Sequence, residues 1–169
     1  MNLAKMFKGW LAACGFALYA NSSAMCTSFK VESWLALHAL GTTVTRGGTG
    51  ADALKAALYL TTGTRGAGTT AYSATDEVSG TGYSAGGVTV TNAVAPTSTG
   101  TTAFWTPSAS IVFTTVTLTT AFDAVLLYNS TQANRAISVH NFGAQTITAA
   151  TLTLTMPANA AGTALLNFA

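Results

Sequence analysis

Val88-Thr89-Val90-Thr91 alternates apolar and polar side chains with a period of two, the mark of a strand that buries one face. Similar apolar runs predict strands at Val88–Val94, Thr102–Trp105, Ile111–Thr119, Phe122–Tyr128, Ala136–His140, Ile147–Met156 and Thr163–Phe168. Asp52–Leu60 joins them: its Ala, Leu and Lys content suits a helix, but Leu54, Ala56, Leu58 and Leu60 alternate with Lys55, Ala57 and Tyr59. Pro96, Pro107 and Pro157 fall between runs, where proline breaks no ladder. Asn129-Ser130-Thr131-Gln132 and Asn141 to Ala144 carry turn chemistry, and Thr61 to Thr70 reads as a glycine-containing loop with Arg65. Seven or eight short strands in series predict a mainly β protein, an antiparallel β-sandwich of the jelly-roll or immunoglobulin-like kind.

Two stretches near the N-terminus follow a helical period instead. Leu3, Met6, Phe7, Trp10, Leu11, Cys14 and Leu18 fall on one face at i, i+3, i+4 spacing. Residues 1–24 also read as a signal peptide, with Lys5 and Lys8, an apolar run from Trp10 to Ala20, then Ser22-Ser23-Ala24. The stripe favours an ordered amphipathic helical arm, with Leu3, Met6, Phe7, Trp10, Leu11 and Leu18 as a partner interface. The run is shorter than the roughly 20 residues a membrane span needs. A second helix is predicted from Ser28 to about Leu40, capped by Thr27 or Ser28 and ended by Gly41. Val31, Trp34, Leu35 and His38 would share its packing face. The chain thus divides into an arm (1–24), a helix and loop (25–50) and a β-sandwich (51–169).

The stretch from Ala74 to Asn92 organises the rest. It opens on Asp76 and Glu77 and passes Gly80, Gly82, Gly86 and Gly87 before entering the alternating strand. Such glycine density predicts a tight, shaped turn. Adjacent residues on extended backbone point to opposite faces, so the two carboxylates are not expected to converge; a solvated turn is the simpler reading than a turn-stabilising or calcium-touching role. GTGYSAGG lacks the Gly-Lys-Ser/Thr ending of a phosphate loop and precedes a strand.

Composition sharpens this picture. Only 7% of residues are charged, where about 25% is usual. Beyond Glu77 the charged side chains are Asp123 and Arg135, expected to pair if they face each other across strands, while about thirty threonines are spread along the chain. A surface so short of charge has little electrostatic defence against association, which suits a subunit of an assembly. The net charge of +2 implies no nucleic-acid partner. Cys14 and Cys26 have no metal-type spacing and read as free thiols. His38 and His140 read as structural histidines. Nothing in the residues predicts a catalytic group, metal or cofactor.

Three segments together resemble a known family: Met25-Cys26-Thr27-Ser28-Phe29-Lys30 leading into the helix with His38; Ala71 to Asn92 with the pattern TxEVSGTGYxAGG; and Leu126 to Gly143, LLYNSTQANRAISVHNFG. They are similar to small tailed-bacteriophage structural proteins encoded among head genes. The likeness runs from Met25 to the C-terminus, and residues 1–24 precede the family's usual start. It implies a capsid cement (decoration) subunit on the virion exterior, with the major capsid protein as partner, in dimers or trimers. A tail or neck component is the alternative, as is a glycan-binding adhesin presenting Tyr72, Tyr83 and Trp105 from loops such as Thr61–Thr70 and Pro96–Pro107.

Overall fold

The computed structural model describes residues 15–17, 22–42 and 50–168. Within them the protein is mainly β, as the alternation predicts, with one short helix. The elements are β1 (Gly15–Ala17), β2 (Ser22–Met25), α1 (Thr27–Trp34), β3 (Leu54–Leu60), β4 (Val88–Val90), β5 (Thr97–Thr99), β6 (Thr102–Trp105), β7 (Ile111–Asn129), β8 (Arg135–Thr155) and β9 (Leu166–Phe168). One sheet runs β1-β8-β7-β3-β4, with β2 also on β8; the other runs β5-β6-β9. All pairings are antiparallel except β1 on β8.

The spine is the long β7–β8 hairpin. Two pairs of predicted strands fuse in it: 111–119 with 122–128, and 136–140 with 147–156. Neither junction contains proline, and the irregularity expected of turns is absorbed by bulges. Register shifts recur between Phe113 and Ala124, and Thr115 and Ala149 take positive φ. Asn141 to Ala144, read as a turn, therefore lies inside β8. The predicted turn at Asn129 does close the hairpin: Asn129 Oδ1 accepts from the N–H groups of Thr131 and Gln132 at 3.1 Å each.

Where the hairpin crosses the core its inward side chains include Phe113, Leu118, Phe122, Leu126, Ile137, Leu152 and Leu154, all buried. Trp105 and Leu166 of the second sheet belong to the same hydrophobic cluster, as do Cys26 and Phe29 at the start of α1. β3 is buried on both faces, so Ala57 and Tyr59 do not alternate outward as the sequence suggested. The reason is that the segment after β3 folds over its second face: the Arg65 guanidinium lies 4.2 Å over the Tyr59 ring, and the Tyr59 hydroxyl donates to Ser73 O at 2.7 Å.

Two expectations about the first helix fail. α1 stops at Trp34, and Ala36 turns left-handed (φ 53°). Residues beyond it are drawn into an extended path by Asp52, whose N–H donates to Ala39 O (2.9 Å) while its Oδ2 accepts from Ala39 N (2.7 Å). The helix buries Phe29 and Glu32, leaving Val31, Trp34 and Leu35 exposed. The N-terminal arm residues Leu3, Met6, Phe7, Trp10, Leu11 and Leu18 lie outside the described residues. Gly15–Ala17, which would interrupt a helix continuing to Leu18, is a strand beside Thr153–Thr155.

Candidate functional site

Glu77 is the centre of the glycine-rich turn. Its Oε1 accepts from the Tyr83 hydroxyl (2.7 Å) and Gly86 N (2.8 Å), and its Oε2 from the Tyr72 hydroxyl (2.7 Å). The solvated-turn reading of this carboxylate is thereby corrected: it clamps the turn. The clamp seals the open edge of β3, where Val78 N donates to Leu58 O and Leu60 N to Asp76 O, while Tyr83 Oη accepts from Leu58 N. Gly87 must be glycine, because a Cβ there would stand 1.8 Å from Ala56 O. Burial and the neighbouring Glu77 push the Tyr72 and Tyr83 hydroxyls well above the usual phenol range, so both stay protonated donors.

A second polar cluster lies under α1. Glu32 Oε2 meets His38 Nε2 at 2.8 Å, and its Oε1 accepts from Arg135 Nη1 at 2.5 Å. Asn129 Nδ2 donates to His38 Nδ1 (3.0 Å) and to Asp52 Oδ2 (2.7 Å). Because Asn129 Oδ1 is taken by two backbone N–H groups, its amide orientation is fixed. That in turn makes His38 Nδ1 an acceptor and Nε2–H the donor to Glu32. Burial lowers the His38 pKa, with Glu32 opposing, which agrees with this neutral tautomer. Both ring nitrogens are thus occupied, and the neighbouring Ser33 hydroxyl donates to Phe29 O at 2.7 Å. The histidine–carboxylate pair is a brace between α1 and the hairpin turn. Arg135 meets Glu32, and the expected pairing with Asp123 does not form.

Sequence reasoning missed this cluster because its members, Glu32, His38, Asp52, Asn129 and Arg135, are scattered over a hundred residues. His140 lies apart from it, buried, with Nε2 at 2.9 Å from Ser138 Oγ. Burial lowers its pKa to about 4. Burial, reinforced by Glu32, raises the Cys26 thiol to about 11 and keeps it a protonated core group.

Between α1 and the second sheet lies a partly open cavity of about 210 Å³, walled by Phe29, Ser33, His38, Ala103, Phe104 and Phe168 among others. It faces neither Asp76, Glu77 nor His140. On the side turned away from it, α1 and its C-terminal turn present Val31, Trp34 and Leu35, exposed by 58%, 90% and 63%. The three aromatics expected to serve an adhesin point elsewhere. Trp105 is buried, donating to Val94 O at 2.7 Å, and Tyr72 and Tyr83 pack against the core. Among the described residues no cluster of three His, Cys, Asp or Glu side chains is arranged to hold a metal. None of the helices there is long and apolar enough to cross a membrane.

No protein-family model, curated protein or solved structure matches the chain.

Proposed function

We propose that this chain is a virion structural subunit of a tailed bacteriophage: a cement protein that binds the outer capsid surface and bridges joints between major capsid subunits. The observation that carries the reading is the uncharged exposed surface of the β7–β8 hairpin. Thr114, Thr115, Thr119 and Thr120 are exposed on β7, and Thr146, Thr148, Thr151 and Thr155 on β8. Asp123 is the one charged residue in the hairpin strands apart from Arg135, which is turned onto Glu32. Threonine hydroxyls on a sheet present hydrogen-bonding groups at low desolvation cost relative to ions, and their methyls add apolar area. Such a surface favours contact with neighbouring protein.

The chain's ionised groups support the same reading. Glu32, Glu77 and Arg135 are spent on internal braces, which make a rigid block. A cement subunit works by burying surface across a joint, adding association free energy against the pressure of packaged DNA; a specific joint needs on the order of 1,000 Å². The test is thermal release of DNA from particles with and without the chain. Release at lower temperature without it supports cementing, and identical release curves contradict it. Localisation to the tail or neck in the same particles would favour the alternative structural position.

A further inference from the structure

We infer that His140 couples acid to a local opening of the fold: when its ring takes up a proton, β2 detaches from β8 while the β7–β8 hairpin stays paired. The release is a property of the fold and holds whichever assembly the chain joins.

The ring is built to be neutral. His140 is 3% exposed, and its hydrogen-bond partner is the Ser138 hydroxyl, with Nε2 and Oγ 2.9 Å apart. Nδ1 is buried without a partner among the described residues. A neutral imidazole has one donor nitrogen and one acceptor, but in the protonated ring both nitrogens donate. Ser138 Oγ can accept one of these N–H groups, and nothing in the closed fold accepts the other. A buried, charged donor in that state is strongly unfavourable.

No counter-charge relieves it. Across the ladder His140 faces Val125 of β7 and Ser23 of β2, and the adjacent Ser138 faces Leu127 and Met25. None of these is ionisable, and among the described residues burial alone lowers the pKa of the ring, to about 4. The charge must be met by water.

The two walls beside the ring differ in strength. Val125 is paired on both sides, with His140 and with Leu58 of β3, and is buried. β2 is four residues long and, among the described elements, pairs with β8 alone. Ser23 is exposed, and Ala24 and Met25 are half-buried. Lifting β2 therefore uncovers less apolar surface than parting β7 from β8. Once β2 lifts, Nδ1–H reaches water, and the backbone of Ser138–Asn141 becomes an unpaired strand edge able to take up another strand.

In the open form the ring regains an ordinary pKa of about 6.5, against about 4 when closed. Above about pH 6.5 it is neutral in both forms, and opening is independent of pH. Between the two values only the open form holds the proton. Opening then rises by up to about tenfold for each unit fall in pH, and levels off below about pH 4.

The test is hydrogen exchange of the full chain at about pH 7 and about pH 4.5, each amide rate divided by its intrinsic rate at that pH. Protection at residues 22–26, whose backbone pairs with β8, should fall roughly fiftyfold in the wild type and less than about threefold in His140→Gln. Amides of residues 126–128 in β7 should stay far better protected than those of β2 at both pH values. His140→Leu, close in volume and unable to titrate, supplies the same contrast if the glutamine variant does not fold. An equal fall in wild type and variants overturns the inference, as does β2 protection that does not change with pH. Loss at β2 and β7 in step also overturns it, because the proton would then be coupled to global unfolding alone.

Discussion

Arg135 Nη1 lies 2.5 Å from Glu32 Oε1, joining the first residue of β8 to a helix 103 positions earlier. Glu32 is buried, and Arg135 and His38 divide its two oxygens. Removing the arginine leaves a buried carboxylate without its counter-charge, a change that costs about 3 kcal/mol where both partners are buried. Arg135 is partly exposed, so Arg135→Gln should cost about 2 kcal/mol, read by urea denaturation. Asp123→Asn should stay within about 0.5 kcal/mol of the wild type.

The turn over β3 makes a sharper test. Gly87 has φ +69°, and a methyl there would meet the Ala56 carbonyl at 1.8 Å. Gly87→Ala should cost about 3–5 kcal/mol, lowering the melting temperature by roughly 6–20 °C for a chain of this size. Gly68 has open space where its Cβ would stand, so Gly68→Ala should leave the melting temperature nearly unchanged. Glu77→Ala should fall between the two, since it strands the Tyr72 and Tyr83 hydroxyls and Gly86 N–H together.

His140 gives the protein an acid sensitivity of definite sign. Its folded pKa is lowered to about 4 by burial, against an unfolded value of about 6.5. Above pH 6.5 the side chain is neutral in both states and contributes nothing to pH dependence. As the pH falls below 6.5 the unfolded chain takes up the proton first, so stability declines, levelling off below about pH 4 with a loss on the order of 3 kcal/mol. Denaturation of His140→Gln across the same range should show a shallower decline than the wild type; equal slopes would remove His140 as the source.

The β character was legible because alternation survives wherever one strand face meets solvent, as at Val88–Val90. What stayed hidden has physical causes. The fusions in β7 and β8 were illegible because bulges at Thr115 and Ala149 let one strand bend where separate strands were expected. The burial of both faces of β3 depends on a turn that follows it in sequence. The helical signal runs on to Gly41, but a left-handed Ala36 ends α1 at Trp34, which leaves the face predicted to pack exposed. Glu77 was visible as an acid in a turn, but its clamp needs Tyr72, Tyr83 and Gly86 folded around it. The Glu32–His38–Asn129–Asp52 cluster is assembled entirely by tertiary contacts.

The proposed cement role is tested most directly by an image reconstruction of intact tailed-phage particles assembled in the presence of this chain. The account predicts density for the β7–β8 threonine surface seated on the outside of the capsid lattice, across a joint between major capsid subunits. Density confined to the tail or neck, or a particle shell free of the chain, would contradict it.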